Sequence, residues 1–177
     1  MTAEPPTIDD PERAKALAVR ILTYRARSRR ELIDKLTTKG VEPALAEATA
    51  DRCAQLRLID DRALAESLTQ STLADRPAGR AYIAARLRRR GIPDDLARET
   101  IDQALSERDA HADALRVARA RAKTVPPGLA PAAATRRLVG ALARRGFDPD
   151  TTRRAVETVL AEADAGGPSD NPDTLNT

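Results

Sequence analysis

The chain of 177 residues carries 30 Lys and Arg against 27 Asp and Glu, a formal net charge of +3. Aromatic residues make up 2% (Tyr24, Tyr82 and Phe147), and much of the 41% hydrophobic content is alanine, which argues against a sandwich or barrel core built on aromatic and β-branched side chains. One cysteine, Cys53, and one histidine, His111, exclude a disulfide framework and a multi-thiolate or multi-histidine metal centre.

The first twelve residues, rich in Asp, Glu and Pro, predict an acidic, disordered segment (1–12) with no apolar stretch of a secretory signal. Asp10-Pro11 then reads as an N-cap with proline in the first turn. Ala14, Leu17, Ala18, Ile21 and Leu22 follow at i, i+3, i+4, i+7 and i+8, one apolar stripe of a helix. Ser28-Arg29-Arg30-Glu31 is a capping box that opens a second helix burying Leu32, Ile33 and Leu36 and ending at Gly40. Glu42-Pro43 opens a third, with Leu45, Cys53 and Leu56 available to the core. Asp60-Asp61 caps a fourth carrying Leu64 and Leu68.

The second helix recurs. Leu32-x3-Leu36-x3-Gly40-Val41 returns as Ile83-x3-Leu87-x3-Gly91-Ile92 and again as Leu138-x3-Leu142-x3-Gly146-Phe147, with Pro43, Pro93 and Pro149 shortly after each glycine. Self-similarity at this period marks a repeat architecture. The expected fold is all-α: three tandem three-helix repeats at 13–56, 60–106 and 109–163, stacked into an elongated, curved body. Val125-Pro126-Pro127-Gly128 lengthens a loop in the third, and residues 164–177 read as a disordered tail.

Charge is distributed in blocks. Residues 13–50 carry a net +5, 76–92 carry six arginines and no acid, and 114–147 carry eight bases and no acid. Each block includes a helix that carries arginines ahead of one of the repeating glycines. Arginine binds carboxylate or phosphate bidentately, so these blocks are the candidate partner- or DNA-binding surface. The candidates are Arg27, Arg29, Arg30, Lys35 and Lys39 in the first block, Arg80, Arg86, Arg88, Arg89 and Arg90 in the second, and Arg144 and Arg145 in the third.

Catalytic chemistry has little to stand on. His111 reads as a surface histidine without a nucleophile to serve, Cys53 as a buried small hydrophobe and Asp60-Asp61 as a helix cap. No Walker-type phosphate loop is present, so neither an enzyme nor a cofactor is expected.

The run RARSRRELIDKLTTKGV, then LRLIDDRALAESL, then GRAYIAARLRRRGI, resembles the RecX family of RecA regulators. The most specific pieces are Arg27-Ser28-x2-Glu31-Leu32-x3-Leu36-x2-Lys39-Gly40 and Leu58-Ile59-Asp60-Asp61 followed by Leu64-Ala65, where the family commonly carries Phe-Ala. The resemblance covers 14–106 and, with fewer anchors, 109–163. It implies tandem three-helix repeats and a protein that binds the RecA recombinase and its filament on single-stranded DNA; with no secretory signal and no apolar run of the roughly 18 residues a bilayer needs, a cytoplasmic protein without membrane contact is expected, and a monomer. It further implies inhibition of RecA ATPase, co-protease and strand exchange, by blocking filament extension or promoting disassembly. The alternative from charge alone is an independent basic α-helical DNA-binding protein.

Overall fold

The computed structural model describes residues 8–126 and 128–165. Among them nine α-helices follow one another without a strand: α1 (Pro11–Tyr24), α2 (Arg29–Thr38), α3 (Pro43–Gln55), α4 (Asp61–Asp75), α5 (Arg80–Arg89), α6 (Asp94–Leu105), α7 (Ala110–Ala122), α8 (Pro131–Arg144) and α9 (Pro149–Ala165). They form three successive three-helix repeats, as the recurring glycines predict. Most of both predicted disordered tails lies outside the described residues. At their inner ends the structure differs from that expectation. Ile8 N–H donates to the Gly40 carbonyl (2.7 Å), the Ile8 carbonyl accepts from Glu42 N–H (3.1 Å), and α1 already begins at Pro11. At the other end α9 runs on through Asp164 and Ala165.

The chain folds as two compact units. Among the described residues one comprises 8–75 with 83–107, the other 76–82 with 108–126 and 128–165. In the first unit α1, α2 and α3 pack on one another and α4 packs on α6. Ala14, Ala18, Ile21, Leu32, Leu36, Val41, Ala46, Ala50, Cys53 and Ile59 make one core cluster. Alanines on α1 and α3 let those helices approach closely, so a modest apolar content still gives a packed interior. Leu64, Ile83, Leu87, Ile92 and Ile101 are buried in the second repeat. In the second unit α7, α8 and α9 pack mutually around Ala118, Leu138, Leu142, Phe147, Val156 and Val159.

One device ends the middle helix of every repeat. Gly40, Gly91 and Gly146 each have positive φ (86°, 70° and 75°). The next residue, Val41, Ile92 or Phe147, donates its N–H to the carbonyl five residues back, that of Leu36, Leu87 or Leu142. This is the Schellman termination, in which glycine takes the left-handed position and the following apolar side chain folds back onto the helix. All three of those apolar residues are buried. The repeating Leu-x3-Gly-apolar pattern is therefore a core leucine, a chain reversal and a second core residue in register.

Leu56, expected to be available to the core, is instead 48% exposed. It caps α3 after the last full turn, where the chain turns away through Arg57.

Candidate partner-binding surface

The basic helices place their arginines in two different situations. In the first unit Arg90, just beyond α5, reaches back to the first repeat. Its Nε donates to Glu31 Oε1 (2.8 Å), and its Nη2 donates to Glu31 Oε2 (3.2 Å) and to the Ala26 carbonyl (2.9 Å). Arg25 donates to the same carboxylate at 3.1 Å. Burial would raise the Glu31 pKa, but hydrogen bonds and charge from Arg90 and Arg25 outweigh it and hold the carboxyl below its ordinary value.

The second unit repeats the arrangement with a different side chain. Arg145 occupies the place of Arg90, one residue before the glycine. Its Nε donates to the Pro77 carbonyl (3.0 Å), its Nη2 to the Arg76 carbonyl (2.6 Å), and its guanidinium lies 4.4 Å from the Tyr82 ring centroid. Tyr82 stands where Glu31 stands one repeat earlier, 51 residues back, the spacing of Gly40 and Gly91. An ion pair at one junction thus becomes a cation–π contact at the next. Gly79 N–H also donates to the Arg145 carbonyl (2.8 Å), closing the second junction through backbone.

Arg90 and Arg145 are therefore framework residues, not part of an open basic face as the charge blocks suggested. Arg29 is partly so. Its backbone N–H donates to Asp61 Oδ1 (2.8 Å) and its side chain pairs with Asp51 (2.6 Å). Asp60, not Asp61, caps α4, accepting from Ala63 N–H at 2.9 Å. Asp61 ties the start of α4 to the start of α2, and burial pushes its carboxyl pKa up. Arg27 and Arg86 are half-buried.

The remaining candidates face solvent. Arg30, Lys35, Lys39, Arg80, Arg88, Arg89 and Arg144 are exposed. Arg88 is loosely paired with Asp94 at 3.6 Å. Arg30 and Arg89 have no carboxylate partner among the described residues. Arg29, Arg30 and Arg88 line an open cleft of ≈380 Å³ together with Gly91 and two acids, Asp61 and Asp94. A Cβ on Gly91 would stand 2.8 Å from Arg30 Cβ, so the glycine lets the two basic segments meet.

The other chemistry-bearing residues take structural places. Cys53 is buried in the α1–α3 core and burial pushes its thiol pKa up, away from the reactive thiolate. His111 is half-buried, not on an open face as expected; its N–H and that of Ala112 donate to the Asp109 cap (2.8 and 3.1 Å). Among the described residues no cluster of three or more His, Cys, Asp or Glu could hold a metal, and no helix is long and apolar enough to cross a membrane.

Fold and site thus define an all-α protein of tandem three-helix repeats with arginine-rich middle helices. Residues 14–53, 60–105 and 109–156 match, in order, the first, second and third three-helix domains of RecX. The chain belongs to the RecX family. It is 37% identical over 161 residues to Regulatory protein RecX of Chlorobaculum tepidum, covering 89% of this chain and 96% of the relative. It is 38% identical over 169 residues to Regulatory protein RecX of Mycobacterium avium, covering 92% and 94%. The crystal structure of RecX from Lactobacillus salivarius shares the fold, with a TM-score of 0.69 at 22% identity over 89% of this chain and 98% of that one.

Proposed function

We propose that this protein is a negative regulator of the RecA recombinase. It binds RecA and the filament RecA forms on single-stranded DNA, and it blocks extension or promotes disassembly. ATPase, co-protease and strand-exchange activities fall in consequence, which places the protein in homologous recombination, DNA repair and the SOS response. It acts in the cytoplasm as a monomer, without a catalytic step or cofactor of its own, and its three repeats of 13–56, 60–106 and 109–163 are the working units.

The observation that carries this reading is the succession of three RecX domain matches across residues 14–156. The exposed arginines support it. Arg30 and Arg88 beside an open cleft, with Arg89 nearby in sequence, suit the carboxylates of a protein surface or the phosphates of its DNA. The same basic cleft favours one second reading, an independent DNA-binding protein held by phosphate contacts.

The deciding experiment is DNA-dependent ATPase of the cognate recombinase on single-stranded DNA, with this protein titrated well below one copy per recombinase. Inhibition at that ratio supports action on the filament. Inhibition only when the protein saturates the DNA would replace the regulator reading with the DNA-binding one.

A further inference from the structure

The run Leu56–Asp61 is accounted for only in part by the fold. Ile59 is in the core, Asp60 caps α4 and Asp61 accepts from Arg29 N–H. Leu56 and Leu58 do none of this work, being 48% and 49% exposed. Arg57 between them has φ 56°, the one non-glycine at positive φ among the described residues. Arg57 N–H donates to the Ala54 carbonyl and Leu58 N–H to the Cys53 carbonyl, both at 2.9 Å. This is again the termination seen after Gly40, Gly91 and Gly146, but with a strained arginine in the glycine position and an exposed leucine in place of a buried apolar residue. Strain held at a surface turn points to a role for what the turn presents.

What it presents is one side of a groove. Val19 on α1, itself 49% exposed, lines the same ≈250 Å³ groove as Leu45, Cys53, Leu56 and Leu58. The walls are two helices, and the lining on α3 spans Leu45 to Leu56, about three helical turns. Three large apolar side chains left in water along such a trough suit an amphipathic helix better than a small ligand. The rim is basic. Lys15, Arg52 and Glu12 line it; Glu12 and Lys15 pair with each other at 3.1 Å, which leaves Arg52 as its unneutralised charge, with Arg57 between the two exposed leucines in sequence. Arg52 bonds the neutral Gln55.

We propose that this α1–α3 groove docks an amphipathic helix of the partner recombinase, one that presents two or more large apolar side chains flanked by Asp or Glu. The proposal rests on the regulator reading above. Charge complementarity sets the partner's chemistry. A second copy of this chain fits poorly, because the exposed large apolar residue on α8, Val139, is flanked by Arg136 and Arg137 and would meet a basic rim. The chain's own C-terminal sequence, 166–177, offers one large apolar residue, Leu175, where the groove exposes three of its own.

The test compares the full chain with a Leu56→Glu/Leu58→Glu variant and a Leu58→Met variant in binding to recombinase filaments on single-stranded DNA. Because both leucines are half-exposed, circular dichroism and thermal melting of the variants should match the parent. The double variant should lose about tenfold or more in affinity, as central apolar anchors do, while the methionine variant keeps it. Hydrogen exchange should show α1 near Val19 and residues 53–58 protected by the filament. Unchanged binding by a folded double variant overturns the groove and leaves the regulator reading standing; no binding by the parent chain overturns both. A dimer of the parent chain that the double variant dissolves assigns the groove to a second copy. Faster groove exchange on deleting 166–177, without partner, assigns it to the tail. Either result overturns the proposal.

Discussion

Arg90 and Glu31 lie 59 residues apart in the chain and 2.8 Å apart in space. Their side chains are 23% and 17% exposed, and the guanidinium also satisfies the Ala26 carbonyl. Replacing Arg90 with Ala takes two hydrogen bonds from a shielded carboxylate, which keeps Arg25 and its capping contact with Ser28 N–H, and leaves the Ala26 carbonyl with one long bond from Arg25 (3.4 Å). The expected loss is about 1.5–3 kcal/mol, the range for hydrogen bonds to charged groups. Urea unfolding followed by circular dichroism measures it, and a change inside about 0.5 kcal/mol would show that Arg90 belongs with the surface arginines.

The glycines separate conformational from steric demand. Gly128 and Gly146 both have positive φ (80° and 75°). A Cβ on Gly128 would meet nothing within 4 Å, whereas one on Gly146 would run into the Tyr82 backbone nitrogen. Gly128→Ala should therefore cost only the left-handed penalty, about 1–2 kcal/mol at most. Gly146→Ala should cost clearly more, because backbone must move. Equal melting temperatures for the two variants would contradict that packing.

Acid should loosen the first junction through Glu31. Its folded pKa lies below its ordinary value near 4.5, so its stabilisation is present above that value and is lost as pH falls through the depressed folded value. Asp61 works in the opposite sense. Its raised pKa makes the ionised form a cost in the fold, relieved as pH drops through the raised value. Glu31→Gln should thus lower stability at pH 7 and flatten its decline below pH 4.5, while Asp61→Asn should leave a steeper decline than the parent. Denaturant midpoints at a series of pH values give both slopes.

Charge reversal at Arg30 and Arg89 should leave stability within about 0.5 kcal/mol, since both are exposed. The same pair of changes should weaken inhibition of recombinase ATPase. Any direct DNA contact should show in a shallower dependence of binding on salt, by roughly one counterion per arginine. Inhibition unchanged by the double reversal would remove these two residues from the partner surface.

The helices were legible because their ends are written locally. Asp10, Ser28 and Asp109 all accept from backbone N–H groups within three residues, and each repeating glycine is followed by a residue that must fold inward. The division of labour among the arginines was not legible. Arg89 and Arg90 are neighbours of the same type, and nothing nearby in sequence says that Arg90 meets a carboxylate 59 residues away. Glu31 reads as a capping residue, which it is, since Ser28 and Glu31 form the reciprocal box, but its pairing with Arg90 is long-range. Leu56 misled for the same reason. The helical stripe continues to it, but the turn at Arg57 carries it out of the interior, and a left-handed arginine leaves no mark in composition.

The two repeat junctions share a donor and differ in what receives it. Glu31 gives the first an ionic latch, sensitive to acid and weakened by electrolyte; Tyr82 and the carbonyls of Arg76 and Pro77 give the second a fastening with no titrating acceptor. A change of pH or ionic strength can therefore slacken one joint of this molecule while its counterpart holds.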